Sequence, residues 1–244
     1  MSEAFLNFII FLYNLLFHNF GLTVIALAIL TRIVFYPLTK SQLKYSQKMN
    51  ELKPKLDELS RRHKNDKQKL QAAQLALYKE HGINPAAGCL PLVLQLIIFG
   101  FLYNAFYKAL NIVLNTGFGP WNLAMPDVVK IPFEKNQLAI PGILVILAAI
   151  TQFIQSKMMM PEPVSIKKED KPREKEEKTE FADEFASAQG QMIILFPLMF
   201  LFFGTQWPSG LALYWTASTI LAIIQQYQLT GWGGLTPWIR KISK

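Results

Sequence analysis

Arg32 stands in the stretch GLTVIALAILTRIVFYPL with apolar residues on both sides. A charge at the bilayer centre costs ~2.5–3.5 kcal/mol on insertion scales, so something must compensate it. No Asp or Glu occurs in any of the long apolar stretches of the chain, which leaves water, backbone carbonyls or a visiting anion as partners. The plainer alternative is snorkelling, since Arg32 lies only about 9 Å along a helix from Leu38. Gln95, Gln152, Gln155, Thr216, Ser218, Thr219, Gln225 and Gln226 also fall in apolar stretches. Each alone is an ordinary interhelical hydrogen-bonding residue, but together with Arg32 they could line a water-filled cavity opening inward. Tyr214 and Trp215 suit packing or an interfacial belt as well as a site. Residue types for covalent or metal chemistry are missing. Cys89 is the single cysteine, no Cys/His cluster has ligand spacing, and no phosphate loop, HExxH or nucleophile elbow is present. The expectation is a protein that is not an enzyme and carries no cofactor.

The elements that would hold these residues are membrane helices. The 244 residues are 51% hydrophobic, and the mean hydropathy of +0.21 exceeds that of an ordinary soluble domain. Five segments approach the ~20 apolar residues that span a bilayer: 20–38, 88–110, 138–159, 190–207 and 210–229. Pro37 closes the first, Pro91 suits the first turn of the second, and Pro197 kinks the fourth. Pro208, Ser209 and Gly210 make the turn of a final hairpin. Residues 1–19 form a shorter apolar run broken by Asn7 and Asn14, which predicts an interfacial helix. With Glu3 and no basic flank, that run does not resemble a cleaved signal peptide.

Between the spans, residues 40–85 carry Leu52, Leu56 and Leu59, then Leu70 and Leu77, at spacings of three, four and seven, broken at Asn65-Asp66. This pattern predicts a polar helical hairpin, either a solvated spacer or a docking surface for an anionic partner. Residues 111–137 form a loop, and residues 160–188 are mixed-charge and low-complexity, predicting a flexible loop. Residues 230–244 form a short tail. Of the 25 Lys and Arg, eleven lie in 40–85, seven in 157–188 and three after residue 229. Cytoplasmic loops collect such residues, so the amino terminus is expected outside and the carboxyl terminus in the cytoplasm.

These stretches resemble the YidC/Oxa/Alb family of membrane protein insertases. GLTVIALAILTRIVFYPLT surrounds the lone arginine, YKEHGINPAAGCLPLVLQ enters the second span, FIQSKMMMP closes the third, and FPLMFLFFGTQWPSGLALYW crosses the last hairpin. The resemblance covers all five spans in order. It implies an all-α membrane protein with a five-helix core, a cytoplasmic helical hairpin and an N-terminal interfacial helix, enclosing a hydrophilic groove open to cytoplasm and lipid. It places Arg32, Gln95 and Trp215 in that groove, with Gln152 and Thr219 beside them. Two departures stand out: LQLIIF lacks a proline often found after the glutamine, and Thr219 stands where the family usually has Asn. The implied partners are nascent membrane proteins and membrane lipids, with the ribosome, including its RNA, and the Sec translocon as further candidates. Having only Arg240, Lys241 and Lys244, the tail offers little for ribosome docking. The absence of a bulky extracellular domain or transit-like leader points to a bacterial plasma membrane. The competing function is a small-solute transporter or channel with Arg32 as its anion site, weakened by the absence of an internal repeat.

The charge distribution has a direct test. In a Cys89→Ser background, cysteines replacing Ser60 and Asp170 should label only from the cytoplasm, and one replacing Lys130 only from outside. Labelling of position 60 from outside would reverse the topology.

Overall fold

The computed structural model describes residues 2–63, 66–82, 90–112, 115–133, 136–160 and 194–242. Its first helix, α1 (Ser2–Leu15), leads into a reversal at Phe17 and His18, both at positive φ. Helix α2 (Phe20–Val34) then starts under Asn19, whose side-chain Oδ1 accepts from the Leu22 amide at 3.0 Å. Such a cap satisfies one of the amides that a helix leaves orphaned at its start.

Pro37 ends α2 because it lacks an N–H and its ring crowds the carbonyl one turn back. The next helix, α3 (Tyr36–Arg62), therefore leaves α2 at a bend of 63° around Phe35. The expected first span, 20–38, thus divides, with residues 36–38 belonging to α3. Helix α4 (Lys67–Glu80) folds back on α3, and Leu52 and Leu70 are buried. Asp66 caps α4: its Oδ1 accepts from the Lys69 amide at 3.0 Å and its other oxygen meets the Lys69 ammonium. Those contacts hold the Asp66 carboxyl below the usual carboxylate range.

Helix α5 (Leu90–Leu110) packs on α1 and buries Leu102, Phe106 and Ala109. Two small antiparallel hairpins follow, β1 (Gly117–Phe118) with β2 (Trp121–Asn122), and β3 (Val128–Phe133) with β4 (Asn136–Pro141). The expectation of a span from residue 138 is corrected here: Leu138 to Pro141 pair with Val128 to Ile131, and helix α6 (Ile143–Met158) begins later. Pro141 and Gly142 interrupt the helical run, and Asp127 supplies its start, because its Oδ2 accepts from the Leu144 amide at 2.6 Å and the Val145 amide at 3.2 Å. Counting apolar residues cannot distinguish a short strand from the first turn of a helix.

Residues 194–203 form α7, closed by a 3-10 turn at Gly204–Gln206. Helix α8 (Ser209–Thr230) is central and packs against α2, α6 and α3. Residues 230–244, expected as a simple tail, contain a 3-10 turn (Gly233–Leu235) and helix α9 (Thr236–Ile242). The turn lies against the Lys157 and Met158 carbonyls, an approach that only glycines at 233 and 234 permit. The Lys157 ammonium sits 5.6 Å from the Trp238 ring centroid. The side chain of Gln95 and residues 161–188 of the loop expected at 160–188 lie outside the described residues.

Among the described residues, no single helix is both long and apolar enough by composition to cross a membrane; α2 and Tyr36–Leu52 pass that test only as a bent pair. Helix α8 has the length, but Thr216, Ser218, Thr219, Gln225 and Gln226 dilute its apolar character. The bundle nonetheless carries many apolar side chains on its surface and a few polar ones within its largely apolar core. Ile29, Ile33, Ile146, Ile150, Leu198 and Phe202 are exposed, while Thr23, Thr151, Thr216, Ser218, Thr219 and Gln226 are buried. Exposed apolar side chains, with Thr23, Thr151, Thr216 and Ser218 hydrogen-bonded inside, suit a surface that meets lipid.

The Asp127 cap carries a measurable share of stability. Asp127→Ala should destabilise the protein by about 1 kcal/mol and Asp127→Asn by much less, since Asn caps about as well. Thermal unfolding in detergent checks this; an alanine variant as stable as the parent would remove the cap from the account.

Candidate functional site

Helix α8 presents two rows of side chains to different neighbours. Tyr214 and Ser218, one turn apart, meet the end of α2. Arg32 Nε donates to Ser218 Oγ at 3.1 Å, and the Thr31 hydroxyl lies 3.2 Å from the Tyr214 hydroxyl. Thr31 also donates to the Ala28 carbonyl at 3.0 Å, which holds its rotamer. Arg32 is half-buried. The ion pairs among the described residues join Arg62 to Glu58 and Lys69 to Asp66, so neither involves Arg32. A guanidinium has five N–H donors in a fixed fork. With Nε committed to a neutral hydroxyl, its positive charge is oriented without being neutralised by a carboxylate among the described residues.

Trp215, one residue along, turns toward α6 and α7. Its indole Nε1 donates to Gln152 Oε1 at 2.9 Å, and Gln152 Nε2 donates in turn to Ser156 Oγ at 3.3 Å. The indole packs among Phe99, Phe196 and Phe200, with ring centroids 5.8, 6.2 and 4.5 Å away. Trp215 is 7% exposed and Thr219 3%. In this state Trp215 is an aromatic core residue with its one polar atom satisfied.

The five residues singled out from the sequence therefore do not form one cluster. Trp215 and Gln152 come together, Arg32 takes Ser218 instead, Thr219 is buried on α8, and Gln95 lies on α5 with its side chain outside the description. No hydrogen bond among the described residues joins the two groups. Sequence reasoning missed the pairing of Thr31 with Tyr214. Its signal was present in the spacing, since residues 214 and 218 share a face that adjacent residues 31 and 32 can meet together.

At the opposite end from α3 and α4, the loop between β1 and β3 closes over the helix ends. The Ser209 amide donates to the Met125 carbonyl at 2.7 Å, the Gly210 amide to the Leu123 carbonyl at 3.1 Å, and the Gly142 amide to the Asp127 carbonyl at 2.8 Å. Ser209 Oγ adds a bond to the Asn122 carbonyl at 3.0 Å. Phe118 fills the space above Gly21, where any Cβ would collide with its ring.

Comparison with known proteins matches residues 11–232 to the family described as 60Kd inner membrane protein. A protein of Syntrophobacter fumaroxidans named "Membrane protein insertase YidC" is 33% identical over 212 residues, which cover 86% of this chain and 34% of that protein. Proteins of the same name from Syntrophus aciditrophicus and Cupriavidus pinatubonensis are 34% and 33% identical over 220 and 219 residues, covering 90% and 87% of this chain. The chain spans about a third of the length of these relatives.

The Trp215–Gln152 contact predicts a non-additive pair. Gln152→Leu should cost about 1–3 kcal/mol by leaving a buried indole N–H without an acceptor. Adding Trp215→Phe, which removes that donor, should cost less than the sum of the single changes. Unfolding in detergent measures all three variants, and strict additivity would show that the bond contributes nothing.

Proposed function

The chain belongs to the 60Kd inner membrane protein family, the YidC-type insertases, and from that membership we propose that it assists the insertion and folding of nascent membrane proteins. The observation that carries the mechanism is Arg32, half-buried, held through Nε by Ser218 and paired with no carboxylate among the described residues. In the proposed reading, the polar residues between α2 and α8 line a groove open to the cytoplasm and the lipid and sealed at its outer end. Water in such a groove, with one fixed positive charge, lowers the cost of bringing a short hydrophilic segment of a client into the membrane. An acidic leading segment rests transiently near Arg32. It passes outward as the apolar segment behind it partitions into lipid, and no covalent bond is made or broken.

Trp215 belongs to this groove in a particular sense. It supports the wall that faces α6 and α7, and a client contacts it once the Phe99, Phe196 and Phe200 cluster opens. Gln152 positions the indole, while Gln95 and Thr219 complete the polar lining. The protein works in the bacterial plasma membrane with its carboxyl terminus in the cytoplasm. Its partners are nascent chains, lipids, the translating ribosome and, for some clients, the Sec translocon.

Arg32 variants test the charge directly, with one client made in acidic and neutralised leading versions. At about 8 Å and an effective dielectric of about 20, one ion pair contributes about 2 kcal/mol, roughly thirtyfold in occupancy. Arg32→Lys should retain most insertion, because attraction does not need the planar fork. Arg32→Ala should lose on the order of thirtyfold for the acidic client and little for the neutral one, and Arg32→Glu should lose more for the acidic client. Equal losses for both clients would sink the electrostatic mechanism. Anion flux in liposomes without client insertion would replace the insertase with a channel.

A further inference from the structure

A cavity of about 320 Å³ opens on the α3–α4 hairpin, far along the chain from Arg32. Its lining is Lys48, Glu51, Leu52, Lys55 and His81. Leu52, 4% exposed, forms an apolar floor. Lys55 Nζ lies 3.1 Å from His81 Nε2, and His81 Nδ1 lies 2.9 Å from the Leu77 carbonyl. A carbonyl can only accept, so Nδ1 carries the proton and Nε2 accepts from the Lys55 ammonium. One of three ammonium protons is thereby used and two remain for a ligand. Lys48 makes no ion pair among the described residues, and Glu51, the one carboxylate of the lining, lies in no ion pair with either lysine. The carboxyl end of α4 would oppose an anion, but its Leu77 and Lys79 carbonyls already accept from the His81 and Gly82 amides. Two ammonium groups around an apolar-floored hollow make a receptor for a phosphate.

We propose that this pocket binds the phosphate of an anionic phospholipid on the face of the bilayer from which α3 emerges. The inference rests on the reading of α2 as membrane-embedded. The 63° bend at Phe35 decides the source of the phosphate. With α2 along the membrane normal, α3 rises only about 0.7 Å per residue instead of the 1.5 Å of a straight continuation. Lys48 then stands about 9 Å and Lys55 about 14 Å above the bend, where a straight helix would lift them about 20 and 30 Å. A headgroup layer is about 5–7 Å deep, and lysine stems reach down to it. The bend thus lays the pocket along the lipid surface, where each lysine contributes about 1 kcal/mol to anionic-lipid binding, or about fivefold.

The test uses the full chain in phosphatidylcholine nanodiscs, with the imidazoles of His18, His63 and His81 followed by nitrogen NMR as phosphatidylglycerol is raised. The expected result is a saturable shift of the His81 resonances alone, weakened about 25-fold by Lys48→Gln with Lys55→Gln. An Arg61→Gln, Lys69→Gln pair, which removes exposed charges elsewhere on the hairpin, should leave the shift in place. No shift, or equal weakening by both pairs, would overturn the site in favour of diffuse attraction. Saturation by inorganic phosphate at the same concentration as the lipid, or by an RNA oligonucleotide at a lower one, would overturn the lipid as its ligand. Client insertion assayed in pure phosphatidylcholine bears on the proposed function separately, since no anionic lipid is present there.

Discussion

The bundle depends on how α8 satisfies its own polar groups. Unpaired donors and acceptors are costly in lipid, and α8 carries hydroxyls, amides and an indole along most of its length, with Gln225 Oε1 buried and without a hydrogen-bond partner among the described residues. Several of these are answered inside the protein. Thr216 donates to the Ala212 carbonyl at 2.8 Å, Ser218 accepts from Arg32, and Trp215 donates to Gln152. Each of the last two bonds fixes a neighbour, one on α2 and one on α6. The arrangement of α2, α8 and α6 is in this sense a solution to a hydrogen-bonding problem as much as to a packing problem.

The same constraint separates two kinds of polar contact. A buried indole that has found an acceptor is cheap to keep and costly to disturb. A guanidinium satisfied at one nitrogen by a hydroxyl keeps most of its field. Trp215 and Arg32, close in the logic of the sequence, thus play different parts: one stiffens a wall and the other supplies potential. Among the described residues the ion pairs sit on the polar hairpin, at Arg62 with Glu58 and Lys69 with Asp66, where water screens them.

What could be read in the chain beforehand follows the range of the forces involved. Local punctuation was legible: Pro37 stops α2, Asn65-Asp66 breaks the hairpin where α4 follows, and Pro208 to Gly210 turn the chain into α8. The lone Arg32 was legible too, because a charge in an apolar run is conspicuous whatever surrounds it. Contacts between distant segments were not. Asp127 caps a helix whose first residue is sixteen positions later, β4 takes residues that an apolar count assigns to a span, and Thr31 meets Tyr214 across the bundle. Helix α9 was hidden for a different reason: at seven residues it is too short to show a period, and its neighbours hold it in place.

The loop over the helix ends is tied by main-chain groups as well as by the side chains of Asn122, Asp127 and Ser209. Four amides, of Leu123, Gly142, Ser209 and Gly210, meet the carbonyls of Thr116, Asp127, Met125 and Leu123. Main-chain bonds do not depend on what the side chains are. Substitution at Met125 therefore leaves these bonds standing, while Thr116, whose hydroxyl donates to Asn122 Oδ1, Leu123, fully buried, and Asp127, which also caps α6, are held by their side chains as well. Proline is the residue that each of the four donor positions excludes, because it has no hydrogen to give. The sequence of this closure is thus free to drift at Met125 and pinned at Leu123, Asp127, Gly142 and Gly210, where packing or capping adds a second demand to the main-chain bond.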